Sequence, residues 1–223
     1  MSGTPCTPSP TSIGLRTRLD ALFAAHDSDG ALDAVSEALA GGLLGVEDLY
    51  CAVLVPLLTD VGERWHSERM RVWEEHLESA AISSIIECAR PRVRAARDAV
   101  AAAHDSARPR SALFACPPEE WHVLSLRMLA DRFAMEGWRT HYLGGDVPIE
   151  EIVDAARALG ADLVVLTAAT HYERVYLRDL LDGLRRQLAP VSLLVSGPAF
   201  SAEHPDWSAD ELVDPERLPD AYA

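Results

Sequence analysis

Glu120 and His122 lie directly after a short apolar run and have the types and spacing of an oriented metal-ligand pair. A glutamate two residues before a histidine can accept a hydrogen bond from one ring nitrogen, which leaves the other nitrogen to bind a metal. A lone loop histidine is more often solvated than a ligand, and Glu120 alone can simply favour a helix N-terminus. The common zinc spacings, nucleotide loops and Ser-His-Asp sets are absent from the sequence, so they do not explain the pair.

A second candidate group lies in the stretch VGERWHSERMRVWEEHLESA, residues 61–80. It contains a Trp-His pair, Trp65 and His66, and a Glu-His pair, Glu75 and His76. Periodicity alone favours Trp65 as a core residue, and the other three residues as helix surface.

The residues around this second group are predicted to form helices. Residues 1–12 are rich in Pro, Ser and Thr and are predicted to be disordered. Helices are predicted over residues 13–26, 28–40, 46–65 and 72–103, and together they indicate a four-helix bundle over 13–103. The third helix carries one apolar stripe and a proline, Pro56, that should kink it. The stripe consists of Val46, Leu49, Tyr50, Val53, Leu57, Val61 and Trp65.

The pattern changes after a linker at 104–110. Short β-type runs at 111–116, 139–143, 162–167 and 191–196 alternate with helical stretches at 122–136, 149–159 and 173–188. This alternation predicts an α/β domain over 111–223 with a doubly wound, flavodoxin-like or Rossmann-like parallel sheet, and a weak final strand at 211–213. Ligands of such sheets bind beyond the carboxyl ends of the strands, where Glu120 and His122 are expected.

Charge and cysteine usage restrict the function. The chain of 223 residues has a net charge of -15 and a pI of about 4.8, so direct nucleic-acid binding is not expected. The sequence has no secretory signal and no apolar run of membrane-spanning length. The four cysteines form no C-x-x-C pair, which predicts free thiols and a cytoplasmic protein.

Four stretches carry a resemblance to a known family: the Glu-x-His motif, 142-YLGGDVP-148, 162-DLVVLT-167 and 195-VSGPAF-200. Together they resemble the cobalamin-binding Rossmann-like domain of methionine synthase, corrinoid methyl carriers and CarH/LitR-type photoreceptors. The resemblance implies that His122 is the lower cobalt ligand and that Glu120 is its hydrogen-bond partner. The nucleotide tail of the cofactor would then thread into the domain.

The resemblance also assigns cofactor-binding roles to Asp146, Thr167, Thr170 and Gly197. Two positions depart from the family pattern, because Ser125 and Ser196 stand where glycines are usual. Each serine adds a side chain where backbone is expected to approach the tail. We expect these two residues to adjust the packing of the tail while keeping their place in the cofactor site.

The bundle is similar to the family's four-helix cap, and its motif is similar to that of the adenosylcobalamin photoreceptors. There the tryptophan, here Trp65, packs over the adenosyl group, and the residues corresponding to Glu75 and His76 line the same pocket. The residue corresponding to His66 becomes the upper cobalt ligand after light. Trp73 is larger than the pattern suggests. We expect it to reshape the adenosyl pocket or to fill the bundle core.

The leading hypothesis is an adenosylcobalamin light sensor in transcription regulation, and not an enzyme. No MerR-type DNA-binding domain precedes the bundle in this sequence, so the signal is expected to pass to a protein partner or through self-association. The alternative is a corrinoid methyl-carrier subunit of a methyltransferase system. A third possibility is an interaction module that has lost cobalamin.

Overall fold

A computed structural model describes residues 7–103, 108–169 and 174–200. The chain divides into two compact units, and the boundary falls between Val93 and Arg94. The bundle was expected to extend to residue 103. The last turns of its final helix group with the second unit instead, and Val100 there lies so close to Gly137 that a Cβ on this glycine would be 2.8 Å from Val100 Cγ1.

The first unit consists of helices. They are α1 (Pro10–Ala24), α2 (Ser28–Ala40), α3 (Val46–Asp48), a π-helical stretch (Leu49–Leu54), α4 (Val55–His66) and α5 (Val72–Ala103). Helix α1 begins three residues before the predicted Ile13, because Ser9 and Ser12 form a capping box: the Ser12 amide donates to Ser9 Oγ at 3.1 Å and the Ser9 amide to Ser12 Oγ at 2.9 Å.

The predicted third helix is divided into α3, the π-helical stretch and α4. The π-helical stretch ends immediately before α4, in whose first turn Pro56 stands. Proline lacks an amide proton, so it cannot continue the regular hydrogen-bond ladder toward the preceding turn. The expected disturbance at Pro56 therefore takes the form of a π-helical stretch.

The second unit is a four-stranded parallel sheet in the order β2-β1-β3-β4. Its strands are β1 (Ser111–Ala115), β2 (Arg139–Gly144), β3 (Leu163–Thr167) and β4 (Ser192–Ser196), and its helices are α6 (Val123–Met135), α7 (Ile149–Leu159) and α8 (Arg174–Leu188). A 3-10 turn, Pro198–Phe200, follows β4. This strand order confirms the doubly wound α/β prediction. Residues 104–107 of the predicted linker and the predicted strand at 211–213 lie outside the described residues.

Alternation along the strands produces two apolar layers, one on each face of the sheet. Leu113 and Val164 face α7 and α8, where they pack with Ile152 and Leu184. The other face carries Ala112, Phe114 and Val165, which pack with Leu126 and Phe133 of α6. The sheet is therefore fixed by burial on both faces, and the loops at its carboxyl ends start from rigid positions.

Two further findings concern membrane and cysteine usage. Within the described ranges, no helix combines the length and the apolar character needed to cross a bilayer. Cys88 and Cys116 are free, as predicted. Cys51 is disulfide-bonded, so the expectation of free thiols is wrong at this residue. Cysteine usage thus gives no support to a reducing compartment.

Candidate functional site

The loop between β1 and α6 presents His122 on a buried carboxylate. Glu120 is fully buried, whereas 60% of the His122 side chain is exposed. Glu120 Oε1 lies 2.6 Å from His122 Nδ1 and accepts the His122 backbone amide at 2.8 Å. An ionised carboxylate can only accept, so Nδ1 carries a proton, and in the neutral ring Nε2 carries the lone pair. The structure therefore forms the oriented imidazole that the Glu-x-His spacing predicts.

The neighbouring loops hold this pair from both sides. The other oxygen of Glu120, Oε2, accepts the Ala169 amide of the loop after β3 at 2.7 Å. Asp146, in the loop after β2, donates its amide to the Glu120 carbonyl at 2.9 Å and accepts the Glu119 amide at 2.8 Å. Because β2 and β3 flank β1, all three strands fix the position of the glutamate.

A thiol and a hydroxyl lie buried beside this loop. Cys116 Sγ is 3.4 Å from Thr167 Oγ1 and donates to the His122 carbonyl at 3.9 Å. Burial raises the pKa of Cys116 to about 11, a shift that the Thr167 hydrogen bond opposes and the Glu120 charge reinforces. The thiol is therefore neutral near pH 7 and packs the loop as a small apolar group. Thr167 was predicted to belong to this site. Cys116 was not predicted to belong to it, and the sequence feature that could have indicated it is its position at the end of a predicted strand.

Two positions of these loops require glycine, because the backbone of another loop lies too close for a Cβ. A Cβ on Gly145 would lie 2.8 Å from the Glu120 carbonyl oxygen. Gly197 has a φ of +107°, and a Cβ there would lie 2.5 Å from the Ala168 carbonyl oxygen. The predicted Gly197 thus lets the β4 loop contact the β3 loop that supports Glu120.

Ser125 and Ser196, the two departures from the family pattern, stand at positions that do not demand glycine. Neither has a positive φ. Ser125 is exposed in the first turn of α6. Ser196 is buried at the end of β4, where its carbonyl accepts the Ala168 amide at 3.2 Å. The backbone of this chain therefore accommodates both serines. Thr170 lies outside the described residues.

The first unit contains an open cleft of about 1140 Å³ between the end of α4 and the start of α5. Its lining residues are Trp65, His66, Glu68, Met70, Arg71, Val72, Trp73 and His76. Trp65 is 51% exposed, whereas Leu57 and Val61 of the same stripe are buried. The expectation from periodicity that Trp65 belongs to the core is therefore wrong. Its indole lies on the cleft.

Glu75 and His76 form a second carboxylate–imidazole pair beside this cleft. Glu75 Oε2 lies 2.6 Å from His76 Nδ1, and its Oε1 accepts the Ser79 hydroxyl at 2.6 Å. His76 and His66 are both exposed. The structure thus brings three of the four predicted cap residues, Trp65, His66 and His76, to one cleft, and Glu75 orients the last of them.

An ion pair that sequence reasoning missed joins the two arms of the cleft. Arg64, directly before Trp65, donates to both oxygens of the buried Glu78 at 2.7 and 3.1 Å, and also to Asp60 at 2.6 Å. The hydrogen bonding of Arg64 to Glu78 is the largest cause that raises the pKa of Arg64, which stays charged. The spacing of these residues carried no sequence signal, because Arg64 and Glu78 lie on different helices.

The donor set fits a metal that arrives inside a macrocycle. Such a metal takes its equatorial ligands from the macrocycle and needs one axial group from the protein, and a single oriented imidazole such as His122 supplies that group. The cleft of the first unit, the cap cleft, has apolar faces and two imidazoles of its own. The residues present thus suit a cobalt corrinoid, with His122 as the residue that would hold it.

Comparison with known proteins agrees with this chemistry. Residues 15–89 and residues 110–216 each match a family described as B12 binding domain. The chain is 35% identical, over 164 residues, to the HTH-type transcriptional repressor CarH of Myxococcus xanthus; the match covers 74% of this chain and 50% of that protein. The chain thus spans about half the length of this curated relative.

The fold is also similar to that of the monomethylamine corrinoid protein of Methanosarcina barkeri, with a TM-score of 0.76 at 18% identity. That likeness covers 95% of this chain and 97% of the solved chain. The chain belongs to the B12-binding domain family, with a helical cap domain and a Rossmann-like domain.

Proposed function

We propose that this chain is an adenosylcobalamin-dependent light sensor in transcription regulation, and not an enzyme. The observation that carries the proposal is the half-exposed Trp65, which lies with His66 and His76 on the cap cleft instead of in the core. These residues match the cap motif of the adenosylcobalamin photoreceptors, and the 35% identity to CarH supports the same assignment.

In this proposal His122 holds the lower side of cobalt. The buried Glu120 holds a proton on Nδ1, so Nε2 is the nitrogen left to bind a metal, and the orientation of the ring is set before the cofactor binds. The backbone amide of Ala169 compensates the second oxygen of the carboxylate. Little reorganisation is then needed on binding, which favours affinity.

The cap residues would hold the adenosyl group. Adenosylcobalamin, when bound, supplies a cobalt–carbon bond that green light breaks. Trp65 offers an apolar face to the adenosyl group, and His76, oriented by Glu75, offers a polar edge. His66, exposed on the same cleft, would be the residue that binds cobalt after light. The rearrangement of these side chains at the cleft is the proposed switch.

The output of the switch is proposed to be a protein contact. The net charge of -15 opposes direct contact with nucleic-acid phosphates. A separate transcription factor or a second copy of this chain would read the state of the cap. Size-exclusion chromatography of the cobalamin-bound protein, in the dark and after light, detects self-association.

The test is the visible spectrum of the protein with adenosylcobalamin, in the dark and after green light. We expect a light-dependent change in the wild type, and a different photoproduct spectrum in His66→Ala. Ser67→Ala, an exposed neighbour that does not line the cleft, serves as the matched control. An unchanged spectrum after light would refute the proposal. Preferential binding of methylcobalamin would favour a methyl-carrier role instead.

A further inference from the structure

The cap cleft has a second tryptophan, Trp73, that the proposed function does not use. Trp73 is 52% exposed and lines the same cleft as Trp65, which is 51% exposed. Val72, beside it, is 59% exposed. Large apolar groups left in water are a cost to a folded protein, and when they lie together they mark a surface that a ligand or partner covers.

The turn that ends α1 supports Trp73. His26, in the turn between α1 and α2, has a φ of +55°, which is rare for a residue with a side chain. The His26 amide donates to the Phe23 carbonyl at 2.9 Å, and the Asp27 amide to the Leu22 carbonyl at 2.9 Å, so hydrogen bonds hold the turn. These two bonds form the left-handed cap that commonly ends an α-helix, and they fix the position of His26 after α1.

The consequence of this turn is a ring contact. The His26 imidazole lies against the Trp73 indole, with centroids 5.1 Å apart and planes tilted by 60°. His26 does not line the cleft among the described residues, whereas Trp73 does. The imidazole therefore restricts the indole from a side outside the cleft, and the indole presents a fixed apolar surface inside it.

Two indoles and an oriented imidazole define what the cleft accepts. Indole faces bind flat heteroaromatic groups by stacking, and His76 can hydrogen-bond the polar edge of such a group. A methyl group is too small to cover either indole. We propose that Trp73, positioned by His26, is a specificity-determining residue that selects a purine nucleoside over a methyl group as the upper axial group. This inference rests on the proposed function and adds a residue outside the Trp-His and Glu-His pairs.

The experiment is a titration in the dark with adenosylcobalamin and with methylcobalamin, followed by absorbance and by tryptophan fluorescence. We expect the wild type to prefer the adenosyl form. Trp73→Ala should weaken adenosyl binding about tenfold and leave methyl binding unchanged, because only the nucleoside stacks on the indole. Trp73→Phe should restore most of the preference, since it keeps an aromatic face.

A smaller effect in the same direction is expected from His26→Ala, about threefold, because the indole stays but loses its support. Leu43→Ala is the matched control, since Leu43 is 66% exposed in the same unit and lies outside the cleft. Trp73 and His26 are both exposed, so the variants should keep their fold, and circular dichroism checks this.

Two results would overturn the inference, and they are distinguishable. If the wild type binds both cobalamins and Trp73→Ala leaves their affinity ratio unchanged, Trp73 does not set specificity, and the proposed function is unaffected. If the wild type binds neither cobalamin, the proposed function itself fails and the inference fails with it.

Discussion

The Glu120–His122 pair and the Glu75–His76 pair contain the same hydrogen bond, a carboxylate oxygen 2.6 Å from a histidine Nδ1, in two different settings. Glu120 is fully buried and also accepts the Ala169 amide from another loop. The Glu75 side chain is 28% exposed, and its other oxygen accepts a hydrogen bond from the Ser79 hydroxyl, one turn along the same helix.

The difference separates a fixed imidazole from an adjustable one. The Glu120 carboxylate accepts hydrogen bonds from the loops after β1 and β3, and the loop after β2 bonds its backbone carbonyl, so His122 cannot turn without leaving buried polar groups unpaired. His76 and its carboxylate are held within one helix surface, where water can replace either partner. A permanent lower ligand suits the first setting, and a cleft that changes its contacts on switching suits the second.

The largest expected effect comes from removing each carboxylate in turn. Glu120→Ala leaves the His122 and Ala169 amides without their acceptor, and we expect a loss of about 3 kcal/mol in the free energy of unfolding. Glu75→Ala should cost no more than about 0.5 kcal/mol, because its carboxylate is partly solvated. Urea denaturation of both variants measures the difference. Equal losses would show that the two pairs are held alike.

The second prediction concerns the loop that supplies the Ala169 amide. Gly197→Ala would place a Cβ 2.5 Å from the Ala168 carbonyl oxygen at a φ of +107°, and we expect a loss of about 2 kcal/mol in stability. This substitution should also displace the Glu120–His122 pair, so we expect cobalamin affinity to fall as well.

Gly160→Ala is the control for this variant. Gly160 also has a positive φ, +61°, but the nearest atom to an added Cβ, on Arg108, would be 3.8 Å away. We expect backbone strain of about 1 kcal/mol and unchanged cobalamin affinity. Should both variants lower the affinity equally, support from the β4 loop would not be what fixes His122.

A third variant tests whether the Arg64–Glu78 ion pair stabilises the cap. Glu78→Ala removes the buried partner of Arg64, and we expect a loss of about 2 kcal/mol, reduced by the partial exposure of Arg64. Glu37→Ala breaks the exposed pair with Arg18 and should change stability by less than about 0.5 kcal/mol. Thermal unfolding of the two variants gives the comparison. A negligible effect of Glu78→Ala would mean that the Arg64 pair does not hold the arms of the cleft.

The smallest expected effect is a response to acid that comes from a histidine outside both pairs. Burial lowers the pKa of His141 below 6.5, and the charge of Arg139 adds to this. His141 Nε2 is buried and without a hydrogen-bond partner within the described part of the chain. The unfolded chain therefore takes up this proton first, so stability is lost as the pH falls below about 6.5.

We expect His141→Leu to remove this loss, which should stay below about 1 kcal/mol. Urea midpoints of the wild type and the variant, compared from about pH 7.5 down to about pH 5, measure it. Parallel curves for the two proteins would assign the acid response to groups other than His141.

Much of this fold could be predicted, because its signals are local. Each strand and each helix of the second unit lies within one residue of its predicted bounds, since apolar runs there are separated by turn residues. The start of α1 was missed because the reciprocal bonds of Ser9 and Ser12 outweigh a composition typical of disorder.

The candidate site likewise has contacts that could be predicted and contacts that could not. The bond between Glu120 and His122 could be predicted, because the partners are two residues apart. The Ala169 amide and the Arg64–Glu78 ion pair join distant segments, and spacing in one sequence does not reveal such contacts. Trp65 shows a different limit, because a ligand cleft and a core use the same apolar side chains at the same helical period.

Electron paramagnetic resonance of bound cob(II)alamin tests most directly whether His122 binds cobalt. The unpaired electron couples to the nitrogen of the axial ligand, so the pattern reports which group is bound. In protein labelled with nitrogen-15 histidine, we predict that each nitrogen triplet becomes a doublet, and that His122→Ala, labelled in the same way, loses the doublet. Triplets that the label leaves unchanged would show that the cofactor's own base remains bound and that His122 is not the cobalt ligand.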